Sequence, residues 1–426
     1  MAPSQTALIA HLYRRAGFGA TASELDVAAT RGFDACVDEL LAGLSASSVK
    51  PADEPKLTSM ADTKSNANLY QEFMTLVDWW VDQMVSTTTP LLEKLVLLLH
   101  CQFPTAISKV NWPSMMQAQN SIFRQHGPGA FDELVQVIAK DPAMLVWLDT
   151  GTDQKMNPNE NFARELMERF TMGIGNYTQS DVRESARCFA GWSLNYQTAQ
   201  YEYAEWAADL GWKTFLGQSG ALTGEDVVEI VTHDPRSAPF VVSRLWSWLA
   251  YPATPTDPVV TELASSFAAD LDMSKLLASM LRHPAFVSDE AFHGLIKQPT
   301  EYLVGTMRRF GLTSSQFQYS GVIDSYLAGL GQELFNPPNV GGWGQNSYWL
   351  STATSLIRLQ LAYEIAQVAD LADLEQLPMG ERIGWLGTVL GVDQWSDTTL
   401  RALSHELDDP VNLLALALVA PEYCVN

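Results

Sequence analysis

Apolar residues recur at helical spacing almost from one end of this chain to the other, and that period leaves few folds open. Tyr70, Phe73, Met74, Val77, Trp80 and Val81 make one broad stripe. Leu95 to Leu99 is apolar on every side, so its helix belongs at the centre of a helical body. Helix punctuation falls where the period demands it. Thr21-Ala22-Ser23-Glu24 and Thr178-Gln179-Ser180-Asp181 read as capping boxes, Pro90 opens a helix, and Gly17, Gly32, Gly173 and Gly191 stand where helices stop. Two stretches break the pattern. Residues 45–66, rich in Ser, Pro, Lys and Asp, read as a loop. Residues 193–222 interleave Tyr196, Tyr201, Tyr203 and Trp206 with polar residues, as a short hairpin or an aromatic-lined loop does. The expected fold is mainly α: a single large helical domain over residues 1–426 with a small irregular or β insertion near 193–222. Residues 1–44 could form an N-terminal helical subdomain ahead of the loop at 45–66.

With 426 residues, 47% of them hydrophobic, the chain has ample material for a large core. The formal charge of −23 repels nucleic acid and anionic lipid, so neither is an expected partner. Cys36, Cys101, Cys188 and Cys424 are far apart and show no metal-ligand spacing, and Cys101 and Cys188 fall in apolar helical patterns as buried thiols do. The longest apolar runs, near Leu95–Leu99 and Leu413–Ala420, are too short to span a bilayer. Met1-Ala2-Pro3-Ser4 is not followed by a basic region and a long apolar run; no secretory signal is visible, and sequence alone suggests the cytoplasm. Phosphate loop, dinucleotide fingerprint, zinc signature and Gly-x-Ser-x-Gly elbow are all missing.

The most informative polar stretch runs from Asn157 to Phe170. Asn157 suits an N-cap, Pro158 a first helical position, and Glu160 the acid of a capping box. At about 100° per residue, Phe162, Leu166, Phe170, Ala163 and Met167 share one side of the helix. Asn161, Glu165 and Glu168 fall within about 60° of one another on the other side, two carboxylates and an amide on one line of sight. Glu160, Arg164, Glu168, Glu165 and Arg169 also stand four apart in pairs, so an ordinary solvated ion ladder accounts for the same residues.

Three further places carry chemistry-bearing side chains, each with a plainer structural reading beside it. His100 ends the apolar helix, where a core histidine at the helix dipole is the simpler account. In Asp209-Leu210-Gly211-Trp212-Lys213 the glycine permits a turn that presents acid and ammonium to one ligand, or to each other as a salt bridge. Pro337-Pro338-Asn339-Val340-Gly341-Gly342-Trp343 could build a stacking floor for a sugar or peptide, while Trp343 could equally plug the loop into the core.

Taken together these stretches resemble a bacterial family, the domain of unknown function 1800. The resemblance rests on Leu12-Tyr13-Arg14-Arg15-Ala16-Gly17-Phe18-Gly19-Ala20-Thr21, Asn159 to Glu168, and Lys213-Thr214-Phe215-Leu216-Gly217. It also rests on Pro337 to Trp343 and Ala420-Pro421-Glu422-Tyr423, in that order along nearly the whole chain. It implies no settled activity. It implies that export is common among members, and that they are often encoded beside proteins of the domain of unknown function 1501 family, which look like the alkaline-phosphatase and sulfatase superfamily. The family pattern usually carries two histidines near His100 and another just before the acid matching Asp209. Here Gln102, Ala207 and Ala208 stand instead, and Arg169 replaces a usually apolar position.

From residues and resemblance together, the expectation is a hydrolase of glycans or another polar polymer. Glu165, Glu168, His100 and Asp209 form its catalytic set, and Asn161, Arg164, Lys213, Asn339 and Trp343 its substrate-binding set. Carboxylates about 5–5.5 Å or about 6.5–9.5 Å apart serve retaining or inverting hydrolysis, and neighbours three apart on a helix can meet the shorter spacing. No metal ligands are assigned and no transition metal is expected, because paired imidazoles are lacking. The alternative is a non-catalytic binding or maturation partner of a sulfatase-like protein.

Overall fold

A computed structural model of the chain describes residues 3–48, 51, 53–62, 68–150, 155–292, 294–317 and 321–425. The fold is mainly α, with strands confined among the described residues to two small antiparallel hairpins. Both hairpins lie in the stretch that breaks the helical period. Within the expected loop at 45–66, Gly43–Ser48 forms a 3-10 turn, and residues 49, 50, 52 and 63–67 lie outside the described residues.

The Pro90–Gln102 helix is the centre of the body, with every residue from Leu91 to Gln102 buried. Two charges on it survive burial because each has a partner. Glu93 accepts a two-pronged contact from Arg124 at 3.0 and 2.8 Å, and Trp80 Nε1 adds a third donor at 3.4 Å. Lys94 Nζ reaches Glu301 and donates to the carbonyl of Gly17 at 3.1 Å. These pairs fasten the central helix to Leu69–Ser86, Pro113–His126 and Pro299–Phe310, and to the turn that ends Gln5–Arg15. Buried apolar side chains from Ile9 to Cys424 form one continuous cluster around it. The four cysteines are buried free thiols.

Trp192–Asn195 pairs with Gln200–Tyr203, Trp192 standing opposite Tyr203. Lys213–Phe215 pairs with Gln218–Gly220 through Leu216 and Gly217, whose φ angles of 45° and 81° give a two-residue hairpin turn. The second hairpin docks on the Gln179–Phe189 helix: Asp181 accepts from Leu216 N at 3.0 Å and Glu184 from Thr214 N at 3.3 Å.

Candidate functional site

The helix expected from Asn157 begins two residues later. Asn159 is its N-cap, accepting from Asn161 N at 2.8 Å, because its own amide is already engaged on Leu148 O at 2.9 Å. Regular α geometry covers Glu160–Glu165 and then widens into a π-turn, Leu166–Thr171. Met172 N reaches back five residues to Met167 O at 2.8 Å, and Thr171 Oγ1 five residues to Leu166 O at 2.6 Å. What the widened turn gives up, a neighbour takes: Gln102 Nε2 donates to Phe170 O at 2.8 Å and Arg169 O at 3.3 Å. Gln102 Oε1 in turn accepts from Arg244 Nε at 3.1 Å. Gly173 ends the turn at φ 87°, its missing Cβ leaving room for the Phe240 ring, which a side chain would meet at 2.9 Å. Single π-turns inside helices are rare and concentrate at functional sites.

Glu165 is only 8% exposed, and its Oε2 has no hydrogen-bond partner. Burial pushes its carboxyl up from the ordinary range, and the neighbouring Glu168 pushes the same way. Glu168 is better served: Tyr177 donates its hydroxyl to Oε2, and Arg169 Nη2 lies 3.4 Å from Oε1. Arg169 Nε stands 3.9 Å from Glu165, so one half-exposed guanidinium bridges both acids. Glu168, Arg169, Asn176 and Arg244 line a cleft of about 260 Å³, with Ile174 and Phe240 as its apolar wall. The two carboxylates therefore face different surroundings, one dry and under-bonded, the other hydrogen-bonded at an opening.

The remaining expected residues are placed as follows. Arg164 joins Glu160 at 3.2 Å and Gln179 at 3.1 Å, and Asn161 is exposed with its amide 3.5 Å from Leu148 O. His100 is enclosed by Trp80, Phe123 and Phe335 at ring distances of 4.7, 4.8 and 5.2 Å. Its Nε2 meets Asn120 Nδ2 at 3.1 Å, and burial with Arg124 nearby pulls its pKa down to about 3. It is a neutral core imidazole, and the structure does not bring it to the two glutamates. Asp209 is gripped by Arg187 at 2.8 and 3.4 Å, and those hydrogen bonds hold its carboxyl below the usual range. Lys213 Nζ is buried among the carbonyls of Asp209, Gly211 and Leu222 at 2.6, 3.1 and 3.0 Å. The turn at Gly211 thus holds acid and ammonium to the protein instead of offering both outward.

The 337–343 loop meets the same end of the central helix. Gly342, at φ 78°, lies so close that a Cβ would stand 2.5 Å from Cys101 O, and Cys101 Sγ donates to Trp343 O at 3.6 Å. Trp343 is buried, while Asn339 is exposed and folds back on Gly341 N at 2.8 Å. His100, Cys101 and Gln102 therefore anchor three regions in turn: the aromatic core, the Gly342–Trp343 loop and the π-turn. A model of a protein family of unknown function, DUF1800, matches residues 11–425.

The chain belongs to the DUF1800 family.

Comparison with curated proteins and with solved structures finds no match. The 337–343 loop and the π-turn that continues the Asn159 to Glu168 stretch meet at the C-terminal end of the central helix. Lys94 meets the opening motif at Gly17, and Lys213 to Gly217 packs on the Gln179–Phe189 helix. Sequence reasoning missed Gln102, Tyr177 and Arg244 as parts of the site. Gln102 stands where the family pattern usually has a histidine, and Arg244 is the one charged residue of the Ser237–Leu249 helix. Among the described residues no group of three or more His, Cys, Asp or Glu stands together as a metal centre would require.

Proposed function

We propose that this DUF1800 protein is a hydrolase of glycans or another polar polymer, with Glu165 as the acid and Glu168 as the base or nucleophile. The observation that carries this reading is the unequal pair on the π-turn. A carboxyl whose hold on its proton is raised by burial can give that proton to a leaving oxygen, and a second one at the cleft wall can activate water or attack. Arg169, 41% exposed and only 3.9 Å from Glu165, is the group a substrate would displace, and Arg244 and Asn176 supply donors for hydroxyl or anionic groups. On this reading His100, Asp209 and Lys213 hold the elements in place and do not touch substrate. The test is a broad screen with glycan and ester substrates, comparing the parent chain with Glu165→Gln and Glu168→Gln. Turnover should fall by about 100-fold or more in both variants, with melting temperature little changed. Activity unaffected by either change removes the pair from catalysis.

One observation favours the second reading, a non-catalytic partner of a sulfatase-like protein. Trp206, Trp212 and Leu210 on the insertion are 70–72% exposed, and Ile174 at the cleft is 70% exposed. Large apolar side chains left open in this way mark surfaces that meet another protein. If this reading holds, Trp206→Ser with Trp212→Ser abolishes co-purification with a sulfatase-like protein encoded beside it. Glu168→Gln then leaves co-purification intact.

A further inference from the structure

A second place in the fold is built from other elements and is rich in buried positive charge. Arg14, in the opening motif, is 5% exposed, and its Nε and Nη2 have no hydrogen-bond partner. Those two atoms form the edge of a guanidinium that fits a pair of oxygens side-on. Arg309 has its Nη1 on Gly305 O at 2.8 Å and its Nε without a partner. Gly19 makes space for that guanidinium at φ 88°, since a Cβ would stand 2.7 Å from Arg309 Nη1. Lys297, also buried, lies with Nζ 3.5 Å from the centre of the Tyr423 ring. Burial and the nearby Arg309 together bring Arg14 down to about 10, and both arginines add to the burial that lowers Lys297.

Beside this cluster lies a cavity of about 350 Å³, lined by sequence neighbours of the cations and not by the cations themselves. Thr6 and Ala10 line it, and Arg14 is the next residue in that i, i+4 row on the Gln5–Arg15 helix. Gly384, Gly387 and Gly391 of the Met379–Leu390 helix and its cap also line it, and a Cβ built on Gly391 would stand 3.6 Å from Arg309 Nη2. We propose that Arg14 and Arg309 form a buried binding site for an oxyanion, a carboxylate or phosphate group, entered through this glycine-walled cavity. Isolated cations are not left dry without an opposite charge, and the exposed Asp393 is the only acid that acts on Arg14 among its main influences. Asp26 and Asp393 at the mouth favour a ligand whose far end carries an ammonium or hydroxyl group.

The test is calorimetry and thermal melting of the full chain with sodium phosphate and with sodium acetate, against sodium chloride at equal ionic strength. At least one oxyanion should bind and raise the melting temperature, and the stronger of the two names the source chemistry. Arg14→Gln should weaken that binding at least about tenfold, the scale of a charge-assisted pair. Gly384→Leu leaves the charges alone and puts a side chain in open space at the cavity wall, where a Cβ meets nothing within 4 Å. It should fold at least as well, because a helical glycine is removed, and it should lose binding. Failure of both oxyanions to exceed chloride overturns the proposal, as does unchanged affinity in a folded Arg14→Gln or Gly384→Leu protein.

Discussion

At the scale of single residues, burial decides what each ionisable group can do. His100 is held neutral in the native protein, with its pKa near 3 against 6.5 for an ordinary histidine. The unfolded chain binds that proton first, so stability is full above about 6.5 and is lost as pH falls toward 3. Denaturant unfolding of the parent chain and His100→Gln across this window should show a shallower pH slope in the variant, whatever its absolute stability. Equal slopes would mean that His100 titrates normally. The core role of this histidine was readable in its place at the end of an apolar helix. The inward turn of Lys213 was less so, because no spacing rule says that three carbonyls will converge on one ammonium.

At the scale of elements, the π-turn is the feature the amino-acid pattern concealed. A wheel drawn at about 100° per residue holds for Glu160–Glu165 and drifts beyond it, because the wider turn advances less per residue. The cause lies far upstream, in the amide of Gln102 that donates to Arg169 O and Phe170 O across sequence separations of 67 and 68. Local propensity carries no trace of such a contact. Gln102→Leu keeps the volume and removes donor and acceptor together, leaving two carbonyls and the Arg244 Nε underserved. Each such group costs about 1–3 kcal/mol, so the melting temperature should drop by a few degrees. Hydrogen exchange should quicken at Leu166–Met172. Exchange unchanged there would show that the turn is set by its own residues. A small β or irregular insertion near 193–222, by contrast, was legible from the aromatic alternation and the break in helical period, though not its division into two hairpins.

Across the whole molecule, long-range polar ties join the first motif to the last. Lys94, fully buried, pairs with Glu301, and Lys297 donates to Tyr423 O. Glu301 also closes a capping box on Gln298, accepting from its backbone N at 3.0 Å. Glu301→Ala would leave the Lys94 ammonium dry and unpaired, a change that costs about 3–5 kcal/mol. The urea midpoint of the first unfolding transition should fall accordingly; a loss under about 1 kcal/mol would mean that water or Gly17 O suffices for Lys94. The mainly helical architecture could be read in advance because period and punctuation agree over most of the chain. Which motifs meet could not, since Arg14, Lys94, Glu301 and Tyr423 come from four separate regions and only the tertiary fold assembles them.

The claim on which the functional account rests is that burial and the neighbouring Glu168 raise the carboxyl of Glu165 above its ordinary range. Site-resolved carboxyl titration by carbon-13 NMR, on the parent chain and on Glu168→Gln, measures it directly. Glu165 should titrate above its ordinary value and move downward when the charge of Glu168 is removed. A Glu165 that titrates at or below the ordinary value, and stays there in Glu168→Gln, would contradict the account and return this helix to a solvated ion ladder.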